Sequence, residues 1–300
     1  MEKYAPIALF VYNRPQHTLK TLEALQANKL ANETKLFIFS DAAKTPEQEE
    51  NVAAVREIIA NVSGFKTVRV IKAKNNFGLA QAIIYGVTDL LKQFNRVIVF
   101  EDDLESSPNT LQYFNDALDF YENEEKLMHI SAYMYPLDPK QDLPDSFIYR
   151  AVHSWGWATW QRAWQHFNPN IDELMSQFDK AKINQFSIEG KMNFWKQMQE
   201  FKKGKNNSWA IRWYASIFLK GGLSLNPSKS LILNIGHDGT GIHSNIEEMY
   251  NGELNHNKIE YFPPTVKENR RAYLAVKTFL SHRKGNIFER VARYLKQKKS

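Results

Sequence analysis

The chain contains no cysteine. That excludes disulfides, thiol chemistry and zinc–thiolate sites, and it suits a reducing interior. It also lacks any run of 18 apolar residues, so no membrane-crossing helix is expected. The opening stretch MEKYAPIALFVYNRP has no small-residue cleavage site of the signal-peptide kind, and its apolar part reads as a first strand. The cytosol is therefore the expected compartment. Internal repeats and low-complexity tracts are absent as well. At 300 residues, with roughly 150 residues per domain as a guide, one large domain is the simplest reading.

The net charge of +6 is unevenly spread. Eleven Lys/Arg and two acids lie between Val266 and Ser300, leaving 28 basic and 31 acidic residues for the first 265. The excess positive charge thus belongs to a tail, which suggests attraction to an anionic membrane surface or a nucleic acid rather than a basic fold. The boundaries expected are a domain over 1–265, with halves 1–104 and 105–265, and a basic amphipathic tail over 266–300. Within that tail, NIFERVARYLKQKKS alternates apolar and basic positions as an amphipathic helix would.

APIALFVYNRP is an apolar run closed by Asn13, Arg14 and Pro15, and QHTLKTLEALQAN follows with helical spacing. KLFIFSDAA repeats the pattern with Asp41 just past the strand. PEQEENVAAVREIIANV reads as a helix, KTVRVIKA as a third strand, NNFGLAQAIIYGVTDLLKQF as a turn and helix, and NRVIVFEDD as a fourth strand. Strands alternating with helices predict an α/β layered domain with a Rossmann-like, mostly parallel central sheet flanked by helices. Ligands of such sheets sit at the carboxyl ends of the strands, where Asn13, Arg14, Asp41 and Glu101–Asp103 all fall. A further helix follows, with Ser107 as expected N-cap and Pro108 at its first position. Beyond it the periodicity weakens.

Three adjacent carboxylates at the end of a buried strand repel one another unless a cation or hydrogen-bond donors compensate. Mg²⁺ and Mn²⁺ prefer oxygen ligands and commonly bind through one or two carboxylates, with substrate phosphates completing the shell. That chemistry points to a metal and a phosphorylated ligand beside Asp103. The alternative, acids charging the start of the next helix, explains one carboxylate well and three poorly.

EDDLESSPNTLQYF after an apolar strand, YNRP after the first strand and FSDA after the second resemble the N-acetylglucosaminyltransferase I family and its bacterial polysaccharide relatives. ISAYMYP, FIYRAVHSWGWATW and NIGHDGTGIHS continue the likeness in the same order, over roughly residues 5–245. The resemblance implies a GT-A type nucleotide-sugar-binding fold and inverting, Mn²⁺- or Mg²⁺-dependent sugar transfer from a nucleotide donor, UDP-linked in the resembled family. It implies that Asp103 holds the metal, that Asp102 faces the ribose and Glu101 the donor sugar, and that Arg14, with Asn13 beside it, and Asp41 contact the nucleotide. Asn76 and Gly78 in NNFGLAQA resemble the N-x-G turns of related transferases, although a plain turn before a helix accounts for them equally. His243 matches a histidine of the family's final motif and would touch diphosphate or metal.

Inverting transfer also needs a base for the acceptor hydroxyl. In the resembled family this is an Asp between two tryptophans; here SWAIRW offers Ala210 and Ile211 instead. The replacements expected are Asp238, in the Gly-flanked GHDGTG, then His237, then an acid of the Asp172–Glu173 loop. Arg212 stands where a cation near phosphates would help. Trp155, Gly156 and Trp157 are candidates for the saccharide acceptor, since C–H faces of sugars stack on aromatic rings. Trp157, Trp160 and Trp164 also fall at i, i+3 and i+7, the spacing of a helix packing a core, and core is the reading for Trp160 and Trp164.

A lipid-carried acceptor at the inner membrane face would suit the basic tail and peripheral attachment. Two rivals remain. A sugar nucleotidyltransferase would carry a Gly-rich N-terminal loop, and FVYNRPQHT has no glycine. A nucleic-acid-binding protein needs a basic face on the fold itself, so the acidic balance of the first 265 residues argues against nucleic acid as a partner.

Overall fold

The structure is a computed structural model, and it describes residues 2–236, 250 and 252–282. Four strands, β1 (Ile7–Val11), β2 (Lys35–Ser40), β3 (Thr67–Lys72) and β4 (Arg96–Glu101), pair in parallel. They alternate with helices α1 (Pro15–Gln26), α2 (Glu49–Ala60) and α3 (Leu79–Phe94). The sheet is ordered β3-β2-β1-β4-β8-β6-β9-β7, its second half formed by β6 (Leu127–Ser131), β7 (Ser146–Tyr149), β8 (Trp157–Trp160) and β9 (Leu223–Pro227). Only β8 and β7 run against the other six strands, as the pairings of β8 with β4 and β6, and of β7 with β9, are antiparallel. A mostly parallel α/β sheet is thus what the strand–helix alternation builds.

Alternate residues of each strand face opposite layers. Ile7, Leu9, Val11, Ile98 and Phe100 pack on one side with Leu22 and Leu25 of α1 and with Leu111 and Phe114 of α4 (Thr110–Phe120). Ala8, Phe10, Val97 and Val99 pack on the other with Ile83, Val87 and Leu90 of α3. Both faces of β1 and β4 are covered, so these strands read as continuous apolar runs. Their carboxyl ends then line up: Phe10 pairs with Glu101 and Val11 with Ser40, which sets Tyr12–Arg14 between Asp102 and Asp41.

Some boundaries differ from the sequence reading. Helix α4 starts at Thr110 after Asn109, while Ser107 is tied to Leu231 O through its backbone N–H. A short strand β5 (Leu104–Ser106) instead follows the acids directly and pairs with β10 (Ile232–Asn234). The tryptophan spacing is split between β8 and the single turn α5 (Gln161–Trp164), because Trp157 and Trp160 are opposite ends of a four-residue strand. Trp160 and Trp164 are buried core residues, as expected.

The carboxyl-terminal half carries α6 (Ile171–Ser176), α7 (Lys180–Phe186), α8 (Phe194–Lys202), α9 (Trp209–Leu219) and α10 (Arg270–His282). Helix α9 ends before Gly221, whose φ of +67° a side chain would resist. The boundary drawn at 265 cuts through packed structure. Ala272, Tyr273, Val276 and Leu280 of α10 are buried against Tyr133, Phe147 and Tyr149, and Glu268 binds Arg150 through both carboxylate oxygens. No described helix is long and apolar enough to cross a membrane.

Candidate active site

The acids lie where β4 ends, and each has a different setting. Glu101 is still paired in the strand, and burial, with the charges of Asp103 and Asp102, pushes its carboxyl well above the ordinary range. Asp102 accepts the backbone N–H of Tyr12 at 3.0 Å; burial first, and Asp103 second, raise it to about 7 against the opposing pull of that bond and of Arg14. Asp103 faces Arg14, which leads α1 and extends Nη1 to its Oδ2 at 3.1 Å. Arg14 also donates from Nη2 to His17 Nε2 at 2.8 Å and to the carbonyl of Gly236 at 3.3 Å. Among the described residues, Arg14 is the cation that meets this cluster, and burial shifts Glu101 and Asp102 toward their protonated forms.

This donor set fits a hard divalent cation. Among the described residues no three His, Asp or Glu side chains converge on one point. One or two carboxylates with the remainder from phosphate is the Mg²⁺ and Mn²⁺ pattern, and Asp103 is placed for it.

The β5–β10 pair brings a residue to this site that the sequence did not mark. Ile235 donates its N–H to the Asp103 carbonyl at 2.9 Å, and Asn234 Oδ1 accepts from the N–H of Gly236 at 2.8 Å. A Cβ on Gly236 would overlap Asp103 Oδ2 outright and lie 2.8 Å from Arg14 Nη1. Only glycine lets this backbone lie against the pair. In GHDGTG the acid is the conspicuous residue by sequence, while the close approach of its first glycine shows only in the fold.

Asp41 and the N-x-G turn are brought together, and they bind each other. The buried Asp41 carboxylate accepts from the N–H groups of Ala42, Phe77 and Gly78 at 2.9, 2.9 and 2.8 Å, and from Asn76 Nδ2 at 3.1 Å. A carboxylate has about four lone-pair sites, and here all four are used inside the chain. That corrects the expectation of a nucleotide contact through this carboxylate: Asp41 clamps the loop at the start of α3. Gly78 takes a φ of +74°, and Phe77 between the clamped residues is 62% exposed. Asn13 lies half-buried in the loop after β1.

The acceptor candidates separate. Trp157 is fully buried, stacked with its ring centroid 5.0 Å from Trp209 and 5.4 Å from His129, so it is core and cannot meet a sugar. Gly156, with φ of +63°, is buried against Ile232, which an added Cβ would approach to 2.9 Å. Trp155 alone lines a cavity of about 490 Å³, together with Tyr133, Tyr135, His153, Tyr214 and Tyr250.

Arg212 does not meet the acids. It is buried on α9 with its guanidinium 4.6 Å from the Phe201 ring, donating to Ser208 O and Pro169 O, so it braces α9 rather than a phosphate. Asp172 pairs with Lys202, and Glu173 accepts from Asn168 and Asn170, both acids being in the first turn of α6; that is helix-end chemistry, not a base. Ala210 lines the cavity where an acid was looked for. His237, Asp238 and His243 lie outside the described residues, as do 283–300.

Residues 77–176 match the model of the GNT-I family, a third of the chain that begins in the clamped loop and includes the acid cluster and the Trp155 segment. No curated protein matches. Among solved structures, the chain is similar to the mannosyltransferase PcManGT from Pyrobaculum calidifontis, described in complex with GDP-Man and Mn²⁺, at 10% identity over 73% of this chain and 70% of that one, TM-score 0.38. It is likewise similar to the galactosyltransferase LgtC, described with donor and acceptor sugar analogs, at 12% identity over 73% and 72%, TM-score 0.38. A structure of S. aureus TarS 1–349 aligns at 16% identity with 42% of this chain but 34% of its own, TM-score 0.29. Likenesses this loose carry no argument about the site. The stretch that matches the GNT-I family model thus contains the acids at the end of β4 and the loop that Asp41 clamps.

Proposed function

We propose that the chain transfers a sugar, with inversion and with a divalent metal, from a UDP-linked donor to a saccharide acceptor in bacterial surface polysaccharide or glycan synthesis. The observation that carries this reading is the cluster of three carboxylates at the end of β4, met by Arg14 and by the backbone of Gly236. Asp103 would hold Mn²⁺ or Mg²⁺, whose charge neutralises the departing diphosphate. Arg14 offers guanidinium donors to the same phosphates, and His243 is a further candidate there. Asp102, fixed by the Tyr12 N–H, presents its other oxygen to the ribose, and Glu101 faces the donor sugar. The clamped loop of Asn76–Gly78 holds the Phe77 ring out as a stacking face for the nucleobase. The acceptor enters the Trp155 cavity, and Asp238, with His237 as the alternative, takes the proton of its attacking hydroxyl.

The acceptor would be lipid-linked, with basic residues 283–300 drawing the protein to an anionic inner membrane face, by about 1 kcal/mol per Lys or Arg near the surface. A thermal-shift screen of nucleotide sugars with and without Mn²⁺ tests the donor reading. A UDP-sugar should raise the melting temperature only with metal present, and Phe77→Ala should need more nucleotide for the same rise. No shift with any nucleotide sugar in Mn²⁺ would contradict it.

A further inference from the structure

Arg56 sits behind the clamped loop, on the side away from the acids' own partner Arg14. It follows the buried Val55 on α2 and is itself half-buried. Cα–Cβ bonds tilt toward a helix's amino end, and α2 enters from the loop after β2, so this side chain leans back toward the carboxyl ends of β2 and β3. There the parallel ladder runs one residue past each strand: Asp41 donates its N–H to Val11 O at 3.1 Å, and Ala73 donates to Ser40 O at 2.9 Å. The Arg56 guanidinium takes up the next acceptors. Its Nη2 donates to Ala73 O at 2.9 Å and to Asp41 O at 3.4 Å, and its Nε to Ser40 Oγ at 3.3 Å.

These contacts and those of the Asp41 carboxylate hold one loop from its two ends. Arg56 holds Ala73, where the chain leaves β3, and Asp41 holds Asn76, Phe77 and Gly78, where it enters α3. Lys74 and Asn75 are the two residues between. Asp41 belongs to both ends, its carbonyl meeting Arg56 and its carboxylate meeting the loop. The Phe77 ring, 62% exposed, has little packing to fix it, so its backbone frame decides where it stands. A planar guanidinium can serve a hydroxyl and two carbonyls at once, a fork that the lysine ammonium lacks. We infer that Arg56 is a positioning residue for the donor: it ties the ends of β2 and β3 together so that Phe77 stays where a nucleobase stacks. The inference rests on the donor reading above and adds to it a residue that acts through the loop.

Two measurements on the full chain test it. Hydrogen exchange reads the loop without any nucleotide: the Phe77 and Gly78 amides should exchange about tenfold faster in Arg56→Met, with Arg56→Lys in between. Calorimetric titration with Mn²⁺ reads the donor: Arg56→Met should weaken UDP about tenfold and leave inorganic pyrophosphate, which has no base, unchanged. With Phe77→Ala already in place, Arg56→Met should weaken UDP no further, an outcome that a general loss of stability does not produce. If Arg56→Met does not fold, Arg56→Lys carries the same comparisons. Unchanged exchange at Phe77 and Gly78 would overturn the proposal, and so would equal losses for UDP and pyrophosphate or additive losses with Phe77→Ala. Failure of the parent chain to bind UDP with Mn²⁺ would overturn the donor reading and the donor role of Arg56 with it, while the exchange rates would still decide whether Arg56 holds the loop.

Discussion

Among the described residues, Asp103 meets both Arg14 and Ile235. Its carboxylate faces Arg14 and its backbone carbonyl takes the N–H of Ile235, so the strand that follows the acids and the strand that returns to them meet at one residue. Gly236 is the price of that convergence, because any side chain there would occupy the space of Asp103 Oδ2. Gly236→Ala should therefore part Asp103 from Arg14 and lower kcat/KM by on the order of a hundredfold, as ångström-scale misplacement of a reacting group does. The melting temperature should fall by only a few degrees, since the strain falls on the tips of two side chains rather than on the packed core. Steady-state kinetics beside a melting curve would check this, and unchanged kcat/KM would show that the close approach does not matter. The acids themselves were legible in the sequence because three like charges ending an apolar strand demand compensation. Gly236 was not, because its role comes from a strand pairing between residues far apart in the chain.

At the level of elements, β1 to β4 could be read because each apolar run is closed by polar or turn residues, and the pattern switches from strand to helix in short order. The tryptophans misled for a physical reason. Spacings of three and seven suit a helix, yet Trp157 begins a strand that pairs with both β4 and β6, and tertiary pairing overrides local period. Strands β5 and β10, at three residues each, carry too little pattern to detect. Helix α10 was hidden in a basic segment, although Ala272, Tyr273, Val276 and Leu280 supply an apolar face that docks on β7 and its neighbours. Only 283–300 is thus left for membrane attraction, with seven Lys/Arg and one acid. Deleting 283–300 while keeping α10 should leave the melting temperature and activity on soluble acceptor unchanged. Co-sedimentation with vesicles rich in anionic lipid should fall sharply. Sedimentation equal to that of the full chain would remove the tail from the account.

On the scale of the whole molecule, a parallel half carries the acids and the clamped loop, and a mixed half carries the aromatic cavity; β4 and β8 join them in one sheet. The order of motifs along the chain was enough to suggest this division, since each stands at the end of a strand or in the loop after it. The base was less legible: the tryptophan pair that should flank it holds Ala210 and Ile211 on α9, with Trp209 and Trp213 turned into the core. The central claim remains that the carboxylates at the end of β4 bind a metal with a nucleotide diphosphate. It is tested most directly by calorimetric titration of UDP into the protein with Mn²⁺, into the protein without it, and into Asp103→Asn. The account predicts binding to the parent chain only with Mn²⁺, and loss of that metal dependence in a folded Asp103→Asn. Equal UDP affinity in all three titrations would contradict it.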